Sequence, residues 1–254
     1  MELAGKRVLL TGASGGLGHA FAREFHDAGA QLVLHGRREP LLRGLAEELG
    51  AEVIVGDLAD RSQLDDLMES TADVDVVVAN AGLGGSGSVH ELDEATIDAV
   101  LDVNLRAPIQ MGRFYGARMA QRGSGHLVFV GSLAAKVTNA GAELYSATKA
   151  GLRIFAFGLR DSLAGTGVGV TVVLPGFVSE AGMFVEGGGS VPAYVGMVTP
   201  AQVAVATRKG IEDGSVEVIS ASLPVRVGSQ AALVAPRVAS FVATRTPLGR
   251  LTKD

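Results

Sequence analysis

The chain of 254 residues has no cysteine, no tryptophan and three tyrosines. Without cysteine there can be no disulfide, thiolate metal site or cysteine nucleophile, and the redox compartment is left open. Charge is also sparse, at 19% of residues, with a formal net charge of −5. That balance offers no grip on nucleic acid or anionic lipid, so neither nucleic acid nor membrane is expected as a partner. No apolar run approaches the roughly 18 residues of a membrane span, and "MELAGKRVLL" is too short in apolar length for a signal peptide. These absences leave a soluble, cytoplasmic protein as the expectation.

Apolar residues are plentiful, at 47% of the chain, together with 35 glycines. Short β-branched runs alternate with amphipathic stretches, the pattern of a parallel sheet covered by helices on both faces. Strands are predicted at 7–12, 31–36, 51–57, 74–82, 125–132, 169–176 and 216–220. Helices are predicted at about 17–29, 39–49, 60–71, 91–121, 143–165 and 199–213. No linker or internal repeat interrupts the alternation, so residues 1–254 read as one α/β domain. Two stretches break the rhythm. Residues 182–200, with three consecutive glycines and two prolines, read as a flexible loop beside a substrate site. The tail from about 221 carries an amphipathic segment around 230–244 and then a frayed end.

Residues 11–18, "TGASGGLG", lie between a predicted strand and helix. In that position, backbone N–H groups and the helix dipole can hold a phosphate. Gly12, Ser14, Gly15, Gly16, Leu17 and Gly18 are therefore candidates for binding a dinucleotide. The spacing Gly12-x-x-x-Gly16-x-Gly18 departs from the G-x-G-x-x-G fingerprint, and a tight turn without a ligand is the plainer alternative. At the end of the second strand, "LVLHGRR" has Gly36 where an acid would meet a ribose diol, followed by Arg37 and Arg38. A guanidinium suits a phosphate by charge and by its fork of donors. The pair favours NADP(H) over NAD(H), against the simpler reading of two solvated arginines.

In "YSATK", Tyr145 and Lys149 are four residues apart, on one face of a predicted helix. A phenol with a reference pKa of about 10 is a poor base near neutrality, and a neighbouring ammonium favours its ionised form. Ser132 ends the fifth predicted strand, and strand ends form the ligand rim of a parallel sheet. The same rim would collect the glycine loop, Asn80 and Pro175. Asn104 falls in a long helical stretch where asparagine is mildly unfavourable. It is either a surface residue or the mark of a local distortion.

Together these segments resemble the short-chain dehydrogenase/reductase family in its single-domain form, over about residues 5–220. The resemblance is carried by "TGASGGLG", "GDLAD", "NAG" at 80–82, "VNL" around Asn104, Ser132, "YSATK" and "PG" at 175–176, in the family's order. It implies a Rossmann-like, doubly wound sheet of seven parallel strands flanked by helices in three layers. It also implies that Tyr145 is the general acid or base, that Lys149 lowers the phenol pKa and holds the nicotinamide ribose, and that Ser132 stabilises the substrate oxygen. Asn104 would support a water-mediated proton relay. Asp57 and Leu58 would face the adenine, Asn80, Ala81 and Gly82 the adenine ribose, and Pro175, Gly176 and Val178 the nicotinamide. One departure stands out: Glu180, beside Ser179, occupies the place of a threonine that helps clamp the cofactor in relatives.

The activity implied is hydride transfer between NADP(H) and a carbonyl or secondary alcohol. The segment after Ser132 and the loop at 182–200 are small and apolar apart from Lys136, Glu143 and Glu186, which favours an uncharged, partly apolar small molecule. A cofactor-binding redox sensor or scaffold is the alternative, and the intact Ser132, Tyr145, Lys149 and Asn104 weigh against it. An epimerase or dehydratase ranks last, because the chain is short for the extra substrate domain. The family resemblance further implies a homodimer or homotetramer through the helices at 91–121 and 143–165. No metal site is expected.

Overall fold

Alternating apolar side chains along each strand feed two separate cores, one on each face of the sheet. Leu9, Val33, Val77, Phe129 and Val172 point to one face, where Met111, Tyr115 and Leu152 close over them. Val8, Leu10, Leu34, Val78, Val128 and Val173 point to the other and meet Phe21, Phe25, Val203 and Ile211. Strands buried on both faces are continuous in apolarity, which is what made them readable in the sequence.

In a computed structural model, residues 1–85, 87–137, 141–179 and 195–235 are described. The strands are β1 (Arg7–Thr11), β2 (Gln31–Gly36), β3 (Glu52–Val55), β4 (Val76–Ala79), β5 (Gly125–Val130), β6 (Val168–Pro175) and β7 (Glu217–Ser220). They form one seven-stranded sheet in the order β3-β2-β1-β4-β5-β6-β7, and every pairing is parallel. The expected fold is therefore the observed one. The chain reverses its winding direction between β1 and β4, which opens a crevice at the carboxyl ends of these two strands.

The helices are α1 (Gly16–Asp27), α2 (Glu39–Leu49), α3 (Arg61–Ser70), α4 (Glu94–Leu101), α5 (Ala107–Arg122), α6 (Glu143–Ser162), α7 (Pro200–Glu212) and α8 (Leu223–Val234). Their starts follow local chemistry. Asp60 accepts from Ser62 N and Gln63 N at the head of α3, and Thr199 with Gln202 forms a capping box on α7.

Two helices differ from expectation. The single helix expected at 91–121 is broken: α4 and α5 are separated by a π turn over Asp102–Arg106. Periodicity continues through such a turn, so the sequence pattern does not reveal it. The tail helix, expected at 230–244, begins seven residues earlier at Leu223. Pro224 in its first turn is a helix-starting residue there rather than a breaker. Residues 180–194, most of the expected loop at 182–200 with Glu180 and Glu186, lie outside the described residues, as does the tail from 236.

Candidate active site

The glycine loop leaves β1 at Thr11 and turns at Gly12, whose φ of +66° suits a residue without a side chain. Gly18 is required by contact: a Cβ there would lie 2.3 Å from the Gly12 carbonyl oxygen. The loop thus folds directly onto the first turn of α1. Asn80 staples it to β4, donating from Nδ2 to the carbonyls of Thr11 (3.0 Å) and Gly12 (3.2 Å). Thr11 Oγ1 completes the staple by accepting from Asn80 N and Ala81 N. Asn80 was expected to line a ribose; its amide is instead committed to the loop, and Gly82 follows on the rim. Thr11 had no assigned role in the sequence reading, although it heads the motif.

The residues present fit a dinucleotide. The Gly15 N-cap of α1 carries no side-chain cap, so first-turn N–H groups of Gly16, Leu17 and Gly18 are available to an anion. A Cβ placed on Gly15 would come no closer than 3.5 Å, to the Gly12 carbonyl oxygen, so the loop's surface is open. Beside it, Arg38 donates to Ser14 Oγ (3.3 Å) and to the Ser14 carbonyl (2.6 Å). Arg37 reaches toward Asp57 Oδ2 at 3.4 Å and stays largely exposed. A Cβ at Gly36 would lie 3.2 Å from Ser14 Oγ. A side chain there would need the serine hydroxyl to give by a few tenths of an ångström, so this corner is crowded. Asp57 also accepts from Ala59 N. Leu58 is turned into the core, leaving only its backbone for a ligand.

Ser132, just past β5, caps a single 3-10 turn at Leu133–Ala135, with Ala134 N donating to its Oγ at 3.1 Å. The plain role of a strand-end serine is therefore present. The same side chain acts on the Tyr145 phenol, favouring its ionised form. Tyr145 is half-buried: loss of solvent around the phenol pushes its pKa up, and Ser132 pulls the other way. Lys149 is buried, and desolvation lowers its pKa to about 8. Its Nζ donates to the Val130 carbonyl at 2.9 Å and stands 5.7 Å from the Tyr145 ring centroid. In this structure the ammonium is thus held by β5, and burial rather than Lys149 sets the direction of the phenol's shift.

Asn104 sits in the π turn and is fully buried. Its Oδ1 accepts from Leu83 N (2.7 Å), and its Nδ2 donates to the Leu83 carbonyl (2.8 Å) and to Thr148 Oγ1 (3.3 Å). Of the two readings, local distortion is the one observed. The side chain ties the segment after β4 to α6, one residue before Lys149. Thr148, unassigned in the sequence reading, is the link. Pro175 ends β6, Gly176 N donates to the Ser220 carbonyl (2.8 Å), and Val178 bridges to Val198.

Lys136, expected on the substrate wall, has no exposed side-chain surface and donates to Glu217 Oε1 at 2.5 Å. Arg153 takes the other oxygen at 2.5 Å. Burial would raise the Glu217 carboxyl, but these two cations outweigh it and hold the pKa below its ordinary value. The partner is 81 residues away in sequence, so no local signal marked it. No cluster among the described residues could hold a metal ion.

A short chain dehydrogenase family profile matches residues 6–187, which covers every residue of this site up to Val178. The chain belongs to the short-chain dehydrogenase family. Among its relatives is a ketoacyl reductase, HetN, of Nostoc sp. strain PCC 7120, 37% identical over 88% of this chain and 81% of that protein. Another is the NADP-dependent 3-hydroxy acid dehydrogenase YdfG of Salmonella typhimurium, 37% identical over 67% of this chain and 72% of that one. Among solved structures, a short-chain dehydrogenase from Sphingobium yanoikuyae in complex with NADPH aligns with a TM-score of 0.80 at 25% identity, covering 95% and 97% of the two chains. A family member from Streptomyces avermitilis gives 0.80 at 26%, over 97% and 100%. The chain is a short-chain dehydrogenase/reductase acting on CH–OH or C=O groups. No helix among the described residues is long and apolar enough to cross a membrane.

Proposed function

We propose that this family member interconverts a carbonyl and a secondary alcohol with NADP(H), in a single domain that carries both cofactor and catalytic groups. The observation that carries the reading is the convergence of Ser132, Tyr145 and Lys149 at the carboxyl rim of the sheet, all reached from β5 and α6. NADP(H) is supported by Arg37, Arg38 and Ser14 around Gly36, which stands where a diol-binding acid would otherwise be. The NADP-dependent relative and the NADPH-bound neighbour agree with that choice.

When bound, the nicotinamide supplies or accepts a hydride at the substrate carbon. The chain's own groups manage the proton. In reduction, Tyr145 donates its phenolic proton to the carbonyl oxygen, while Ser132 hydrogen-bonds that oxygen as charge develops. In oxidation the same pair runs in reverse. Lys149, cationic below about pH 8, favours the phenolate left behind. Asn104 and Thr148 position the Lys149 turn, and in that way support a relay of protons from solvent.

The substrate is best read as small, uncharged and partly apolar. Residues 176–199 contain no lysine or arginine, and Lys136 is neutralised by Glu217 and has no exposed side-chain surface. A carboxylate substrate would find no cation in these segments. Subunits are proposed to associate through α4–α5 and α6, where Leu101 and Ile154 are exposed.

The test is a panel of ketones, aldehydes and secondary alcohols with both nicotinamide cofactors, followed by absorbance. Tyr145→Phe should bind NADPH as the parent does and lose at least about a thousandfold in kcat. Retained turnover would overturn the assignment.

A further inference from the structure

One carboxylate joins the two elements that carry the reacting groups. Glu217, the first residue of β7, lies opposite Val172 on β6. Its Oε1 accepts from Lys136 Nζ and its Oε2 from Arg153 Nε, each at 2.5 Å. Lys136 closes the turn that Ser132 caps, and Arg153 belongs to α6.

Each cation is tied closely to its catalytic neighbour. On the β5 side, Ser132 Oγ accepts from Ala134 N, the Ser132 carbonyl accepts from Ala135 N at 3.0 Å, and the Leu133 carbonyl accepts from Lys136 N at 2.9 Å. Ser132 and Lys136 thus belong to one hydrogen-bonded turn. On α6, Tyr145, Lys149 and Arg153 stand four residues apart and share one stripe of the helix. The Arg153 guanidinium also lies over the Phe157 ring at 4.5 Å, which restrains its fork.

The segment around Ser132 is therefore tied to α6 on both sides. Before it, the Val130 carbonyl accepts from Lys149 Nζ. After it, Lys136 reaches Arg153 through Glu217. The two ties leave α6 one helical turn apart, about 6 Å, and Ser132 lies between them in the chain.

Charge gives the second tie its strength. Lys136 has no exposed side-chain surface, while Glu217 and Arg153 are 17% and 16% exposed. Buried ion pairs are weak sources of stability, because desolvation offsets their attraction, and their best-attested use is to fix register. Without Glu217, the two cations would be left facing each other as like charges. The register at stake is that of Ser132 against Tyr145.

We propose that Glu217 is a positioning residue: through Lys136 and Arg153 it holds the Ser132 turn and α6 in the alignment that lets Ser132 and Tyr145 meet one substrate oxygen. The catalytic clause rests on the proposed reaction; the alignment does not.

The experiment compares Glu217→Gln, Arg153→Met and Arg153→Lys in the full chain, using the best ketone of the panel with NADPH and expressing kcat per NADPH-binding site. Glu217→Gln should lower kcat about ten- to hundredfold, the scale of a misplacement of about 1 Å, while the KM for NADPH stays within about twofold. Arg153→Met severs only the helix side and should lower kcat about tenfold. Arg153→Lys restores a cation and should recover most of that loss.

A cycle with Ser132→Ala separates positioning from plain stability. Once the serine is gone, Glu217→Gln should cost less than about twofold more in kcat, because the two changes remove one interaction. A further loss as large as that in the parent overturns the proposal, as does an unchanged kcat in Glu217→Gln. Hydrogen exchange without substrate provides the remaining arm. Amides of residues 134–137 should exchange at least about tenfold faster in Glu217→Gln and in Arg153→Met, with those of β1 at the parental rate. Unchanged protection at 134–137 overturns the proposal even where kcat falls. If Glu217→Gln does not fold, the Arg153 variants decide: loss in methionine with recovery in lysine supports the proposal, and parental kcat in methionine overturns it. A parent inactive on the whole panel counts against the reaction, and the exchange result then decides the alignment by itself.

Discussion

At the residue scale, cofactor choice turns on a crowded point at the end of β2. Ser14 Oγ stands 3.2 Å from where a side chain at Gly36 would begin, and Arg38 is already fixed to Ser14 by two hydrogen bonds. Arg37, paired only at 3.4 Å with Asp57, is the cation free to turn toward a 2′-phosphate. A charge-assisted bond of this kind contributes about 1.5–3 kcal/mol. Arg37→Ala should therefore weaken NADPH by roughly ten- to hundredfold and NADH by less than about twofold, measured by fluorescence titration. Equal weakening of both cofactors would remove Arg37 from phosphate recognition. The "GRR" run was legible in the sequence because charge and strand position are local properties. The part played by Ser14 was not, since it comes from the loop folding back over β2.

At the element scale, the π turn between α4 and α5 is the feature that periodicity missed. Its extra residue carries Asn104 inward, where the side chain makes three hydrogen bonds to Leu83 and Thr148. Asn104→Ala would leave the Leu83 N–H and C=O without these partners and should cost about 2–4 kcal/mol of stability, read from urea denaturation. The same variant should lower kcat more than it raises the KM for NADPH, because it loosens the α6 turn before Lys149 and leaves the phosphate cradle intact. A fall in stability with unchanged kcat would make Asn104 purely structural. The asparagine itself was visible as an oddity in a helical stretch; the bulge that explains it is a backbone event with no residue signature.

At the scale of the whole molecule, two buried histidines link stability to acid. His35 and His126 both have pKa values lowered to about 4, each chiefly by burial. His126 also faces Thr171 Oγ1 at 2.8 Å, and His35 leaves Nδ1 without a partner. A histidine with a folded pKa below its unfolded value of about 6.5 binds its proton more readily when unfolded. The stability is present above about pH 6.5 and is lost as pH falls toward about 4, by about 3 kcal/mol for each histidine. The urea midpoint should therefore drop steeply between pH 6.5 and pH 4.5, and His126→Asn should shallow that slope. A midpoint flat across this range would show that neither histidine is held neutral by the fold.

By itself the sequence determined the order of strands and helices, the seven-stranded parallel sheet and the set of residues on its carboxyl rim. These follow from short-range patterns: continuous apolarity in strands buried on both faces, a glycine loop before a helix, and a tyrosine and lysine one turn apart. Tertiary structure alone decided how those residues are partnered. Lys136 looked like a charge on the substrate wall until Glu217, 81 residues on, was found to neutralise it. Asn80 looked like a ribose contact, and its amide proved to bind the glycine loop. The physical reason is common to both. A side chain's chemistry is written in the sequence, but the dielectric and the partners that set its charge and role come from segments far along the chain.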